Sequence, residues 1–78
     1  MSQKVDDARK AIEIARDYAQ RSMRLTYWKD VLSCKSDEET GDWQIVFEAS
    51  PSTLSPYFTY EITIDKDGRV KKAKRSEQ

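Results

Sequence analysis

Five cations fall within seven residues near the end of the chain: Arg69, Lys71, Lys72, Lys74 and Arg75, with no acid among them. Such a run suits phosphate binding, because Lys and Arg displace counterions along a nucleic-acid backbone, and an exposed aromatic such as Tyr57 can stack on unpaired bases. Lysines along an outer strand have a second use, which is to discourage edge-to-edge aggregation of sheets. The whole chain balances fourteen Lys and Arg against fourteen Asp and Glu, so it has no large field to draw it to DNA or an anionic membrane. No ribonucleoprotein-type aromatic motif is present either. Weak RNA or single-stranded DNA binding through these five residues is therefore the alternative reading.

The carboxylates offer other chemistry. Asp37, Glu38, Glu39 and Asp42 could give oxygen ligands to a hard cation such as calcium, but they lack the spacing of an EF-hand loop, and the segment reads as a solvated turn. Asp65-Lys66-Asp67-Gly68 has the residues that a tight hairpin turn selects. Glu48 and Glu61 could be imagined as a general acid–base pair, but that work needs a pocket that perturbs at least one of them, and an open sheet face encloses nothing. The chain has no histidine, which removes Ser-His-Asp and Cys-His catalysis and His-ligated metals. Two glycines are too few for a phosphate-cradling loop. Cys34 is the only cysteine, so neither an internal disulfide nor a Cys-based zinc site can form. Its neighbours Lys35 and Asp37 pull its thiol in opposite directions. The expectation is a chain with no catalytic residues, no metal and no cofactor.

The elements follow from periodicity. Val5, Ala8, Ile12, Ala15, Ala19 and Met23 recur at steps of three and four, widened by Ala11, Ile14 and Tyr18, which predicts an amphipathic helix over about residues 3–24. Ser2 is its expected N-cap, with Asp6 and Asp7 in the first turn. A short strand is expected at about 31–35, then the acidic loop. Trp43, Ile45, Phe47 and Ala49 alternate with Gln44, Val46, Glu48 and Ser50 in a strand over about 42–50. Pro51 and Pro56 bracket a connection. Phe58, Tyr60, Ile62 and Ile64 then define a strand over about 57–65, and a last, mostly polar strand runs over about 69–75.

One helix followed by antiparallel strands with short loops predicts a single α+β domain over 1–78: an N-terminal helix on one face of a three- to four-stranded antiparallel meander, in two layers. With 37% apolar and 36% charged residues in 78, the core is small. The face away from the helix then carries Gln44, Val46, Glu48, Tyr57, Thr59, Glu61 and Thr63. Catalysis being unsupported, the first reading is a protein-interaction module. It receives a partner, or a second copy of itself, on the surface around Val46, Tyr57, Thr59 and Glu61 or along the last strand. Tyr27, Trp28 and Leu54 are further candidates, being apolar residues placed in connections. The opening residues carry acid where an export signal needs a basic and then apolar run, and the longest apolar run, Ile45-Val46-Phe47, is far too short for a membrane helix. The expected setting is the cytoplasm, without membrane insertion.

The order helix, short strand, acidic loop, Trp43-x-Ile45-x-Phe47, Pro-containing connection, Tyr60-x-Ile62-x-Ile64-Asp65 and Asp67-Gly68-x-Val70 resembles a PepSY-type module over roughly residues 5–72. That resemblance implies a helix packed on an antiparallel sheet, and a role in binding or restraining peptidases and other partners, mostly outside the cytoplasm. A second resemblance is to the small gas-vesicle O proteins, carried by Trp43, Glu48, Tyr60, Asp65, Asp67, Gly68 and Arg75 in that order. The arginine-rich end of that family is shorter and more lysine-rich here. Neither resemblance implies catalytic residues.

Overall fold

The computed structural model describes Val5 and residues 7–76. One helix, α1 (Ala8–Arg21), is followed by β1 (Tyr27–Ser36), β2 (Trp43–Ser50), β3 (Phe58–Ile64) and β4 (Val70–Arg75). The strands form one antiparallel sheet in the order β1-β2-β3-β4, with α1 lying against β1, β2 and β3. This is the expected two-layer α+β arrangement.

The helix is shorter than its apolar stripe. Asp7 is the N-cap: its backbone is extended and its carboxylate accepts the Lys10 N–H at 2.8 Å. Asp7 therefore stands outside the first turn, and no acid lies within that turn. Ser2, the cap expected from the sequence, lies outside the described residues, as does Asp6. Val5 keeps the helical spacing without being helical. Its N–H donates to the Lys66 carbonyl at 2.8 Å and its own carbonyl accepts from Trp43 Nε1, so it is buried as an extended lead-in. At the other end the Ser22 N–H donates to Tyr18, the Leu25 N–H reaches back to Ala19 at 2.9 Å, and Arg24 takes φ 57° to turn the chain. A left-handed conformation costs a non-glycine residue about 1 kcal/mol or more, and it stops the helix before Arg24. The helix presses Ala11, Ala15 and Ala19 onto the sheet, whereas Ala8 is exposed although it belongs to the stripe.

The covered sheet face is built from register. Ile45 pairs with Ile62, Phe47 with Tyr60, Ala49 with Phe58 and Trp43 with Ile64, which puts the apolar partners directly opposite one another. Phe47 is fully buried, with its ring stacked 4.3 Å from Trp28 and 5.8 Å from Tyr60. β1 begins at Tyr27, four residues before the expected start, and its register slips between Trp28 and Asp30 and again between Val31 and Ser33. Each slip is a bulge that inserts one extra residue. As a result Trp28, Val31 and Cys34, spaced by three, all reach the covered face opposite Ala49, Phe47 and Ile45.

Two connections meet at one end of the sheet. The β1–β2 loop closes through Asp37 N–H to Asp42 O and Gly41 N–H to Asp37 O, both 2.8 Å. Gly41 has φ 80°, and a Cβ there would come within 3.1 Å of Lys66 Cβ in the β3–β4 turn. A side chain at residue 41 would meet both backbone strain and that neighbour.

Candidate functional site

The face away from the helix is laid out in three cross-strand rows. Asp30, Glu48 and Thr59 form the first, Ser33, Val46, Glu61 and Lys74 the second, and Lys35, Gln44, Thr63 and Lys72 the third. Val46, Thr59 and Glu61 therefore share this open face, with Val46 directly opposite Glu61 and Glu48 opposite Thr59. Glu61 accepts a 2.8 Å hydrogen bond from Gln44 Nε2, and its other oxygen lies 3.8 Å from Lys74 Nζ. Tyr57 stands one residue before β3, not within it, and is 46% exposed, with the Lys29 ammonium 5.2 Å from its ring centre. At that end the β2–β3 connection folds back on Ser50, whose hydroxyl is within hydrogen-bonding distance of the Ser52 and Ser55 carbonyls. Ser50 is thereby buried and satisfied, and Leu54 is left 96% exposed at the tip.

β1 brings residues that the sequence did not point to. Asp30, Ser33 and Lys35 join the open face, and Lys29 reaches Tyr57, because β1 starts early and its bulges re-aim its side chains. A run of Lys, Asp, Ser and Lys among apolar residues was the available signal, but the bulges hide its alternation. Trp28, weighed as a surface candidate, stacks on Phe47 and packs half-buried against the core. Tyr27 and Leu54 are exposed.

The five cations of the last segment do not form one stripe. Arg69 precedes β4 in the turn. Lys71 Nζ donates to Asp42 at 2.7 Å, beside the acidic loop, and this bond raises the lysine pKa. Lys72 and Lys74 pair across β3 with Thr63 and Glu61 on the open face, while Arg75 stacks over Phe58 at 5.0 Å on the other. The strand thus starts beside the acidic loop, where Lys71 meets Asp42, and ends away from it.

The acidic loop is occupied with its own backbone. Asp37 accepts the Glu39 N–H at 2.9 Å, and the Thr40 hydroxyl accepts the Asp42 N–H at 3.2 Å. Among the described residues no three His, Cys, Asp or Glu side chains come together to hold a metal ion. An open hollow of about 710 Å³ lies between this loop and the end of the sheet, lined by Lys35, Asp37, Asp42, Gln44 and Thr63 among others; Glu48 and Glu61 do not line it. Cys34 is half-buried and free, and burial pushes its thiol pKa up, away from the thiolate that reactivity requires.

Backbone hydrogen bonds hold the Asp65 carboxyl below the usual carboxylate range. The Arg69 N–H contributes most and the Asp67 N–H adds to it, each donating to Oδ1 at 2.9 Å. A folded-state value below the unfolded one means that the contribution to stability is present above the unfolded value and is lost as pH falls through the folded one. Asp65→Asn keeps an acceptor oxygen but cannot titrate. Thermal melts taken downward from about pH 5 should lose stability less steeply in this variant than in the parent; equal slopes would remove Asp65 from the acid response.

The fold and surface together define a small two-layer α+β protein with one covered and one open sheet face. No protein-family model matches the chain, and no curated protein and no solved structure matches it. Among the described residues no helix is long and apolar enough to cross a membrane.

Proposed function

We propose that the chain is a small non-catalytic interaction module that receives a protein partner, or a second copy of itself, on its open sheet face or outer strand. The observation that carries this reading is the one-sided covering of the sheet: α1 packs on one face, and Val46, Thr59 and Glu61 stand on the other with Tyr57 at its margin. A mixed surface with Val46 among polar neighbours and a tyrosine at its border suits protein docking, since tyrosine brings apolar area with a polar handle. The resemblance to a PepSY-type module points the same way. A free, half-buried Cys34 fits a reducing, cytoplasmic setting.

The test is crosslinking in extract of the source cells, read residue by residue with mass spectrometry, for the parent and for Val46→Asp and Tyr57→Ala. Crosslinks to one protein, or between copies, should disappear in the variants while their melting temperatures stay within a few degrees of the parent's. Undiminished crosslinks in both variants would overturn the open-face reading. Light scattering at two concentrations then tells a second copy from a different partner.

A further inference from the structure

Both outer strands leave a backbone edge, and the two edges are built differently. β1, at one end of the strand order, carries two bulges within ten residues. Bulges twist an edge and break the register that an added strand would need. β4, at the other end, has one register shift, next to Lys71, whose side chain is drawn back to Asp42. Beyond it the strand pairs regularly. The Ser76 N–H donates to the Thr59 carbonyl at 2.8 Å, so the two-residue alternation of an antiparallel ladder turns the main-chain groups of Lys74 and Lys72 toward β3 and those of Ala73 outward.

The side chains along this edge are sorted by face. Lys72 and Lys74 lie on the open side, opposite Thr63 and Glu61, and Lys72 forms no ion pair among the described residues. Ala73 and Val70 lie on the helix side, half-buried opposite Ile62 and Ile64. A strand added here meets Lys72 and Lys74 on one of its faces and Val70 and Ala73 on the other, where Arg75 follows at the end of β4, held over the Phe58 ring. A second β4 would set lysine against lysine, and like charges directly opposite one another destabilise a pair.

Building on the interaction-module reading, we propose that the outer edge of β4 accepts an extended peptide in which acidic and apolar residues alternate. Its acids lie over Lys72 and Lys74, its apolar side chains over Ala73 and Val70, and its main chain pairs with Ala73. A nucleic-acid strand could satisfy the lysines, but it has no peptide groups for the Ala73 main chain.

The experiment is an anisotropy titration of a labelled peptide of alternating Glu and Val, beside two controls: the same peptide N-methylated on alternate amides, and one of the same composition with its acids in a block. The alternating peptide should bind saturably, and the paired substitutions Lys72→Glu and Lys74→Glu should weaken it about tenfold. The N-methylated control should lose binding with its charge unchanged, and hydrogen exchange should slow at Ala73 in the complex. Equal binding by the controls, tighter binding by an oligothymidine, or no binding of the alternating peptide would each overturn the proposal. Those outcomes leave the crosslinking result untouched: crosslinks that vanish with Val46→Asp would keep the open-face module while removing the acidic-strand partner.

Discussion

Replacing Phe47 by Ala is expected to abolish the cooperative unfolding transition, leaving a chain without fixed tertiary structure at room temperature. Phe47 is fully buried in the middle of the covered face, between the rings of Trp28 and Tyr60 and under the helix layer. Truncating a buried Phe to Ala removes its transfer free energy and leaves a cavity, about 3–5 kcal/mol together. A single core in a chain of this size supplies about 3–5 kcal/mol of net stability. Cost and reserve are of the same order, so the folded state is lost. A urea titration followed by tryptophan fluorescence and circular dichroism checks this. Phe47→Leu, which keeps most of the volume, should still fold with a lower midpoint. A parent-like midpoint for Phe47→Ala would refute this account of the core.

Ala15→Glu should be nearly as damaging, whereas Ala8→Glu should be neutral or slightly stabilising. Both alanines sit on the stripe read from the sequence, but Ala15 is fully buried between Ala11 and Ala19, and Ala8 is exposed at the start of α1. The three buried alanines let the helix backbone lie close on the sheet, leaving no room for a longer side chain. No buried side-chain polar atom of the described residues lacks a partner, so the interface has no unused group to satisfy a carboxylate. An unpaired buried charge costs several kcal/mol, and the helix must lift off or the residue must take up a proton. At residue 8 the same carboxylate is solvated and faces the positive end of the helix dipole, worth about 0.3–1 kcal/mol in its favour. Thermal melts of the two variants test the orientation of α1 directly, and similar losses in both would mean that the helix face is misassigned.

Legibility in the sequence varied with the kind of regularity. β2 and β3 could be read because Trp43, Ile45, Phe47 and Ala49 and then Phe58, Tyr60, Ile62 and Ile64 keep strict alternation, and the observed pairing sets these two rows against each other. Three residues of the proposed surface, Val46, Thr59 and Glu61, were legible for the same reason, as the complement of those rows. β1 was readable only over its last part, because its covered residues Trp28, Val31 and Cys34 are spaced by three, a spacing that two bulges create and alternation does not announce. At the helix start, Val5 fits the stripe yet packs as extended chain, since burial against one core selects the same residue type in either conformation. Asp6 and Asp7 look equivalent as letters, and Asp7 is the one whose carboxylate receives the Lys10 N–H.

The amino-acid order alone determined the layer architecture, the helical and alternating periods, the turn at Gly68 and the absence of imidazole chemistry, because these depend on neighbours a few positions apart. Only the assembled sheet decided which cations stay on the surface as a pair, which one turns back to Asp42, and that Lys29 meets Tyr57. The Lys71–Asp42 and Lys29–Tyr57 contacts join residues tens of positions apart. They are set by strand register, bulges and twist, which arise when the strands pair and have no fixed signature in local sequence.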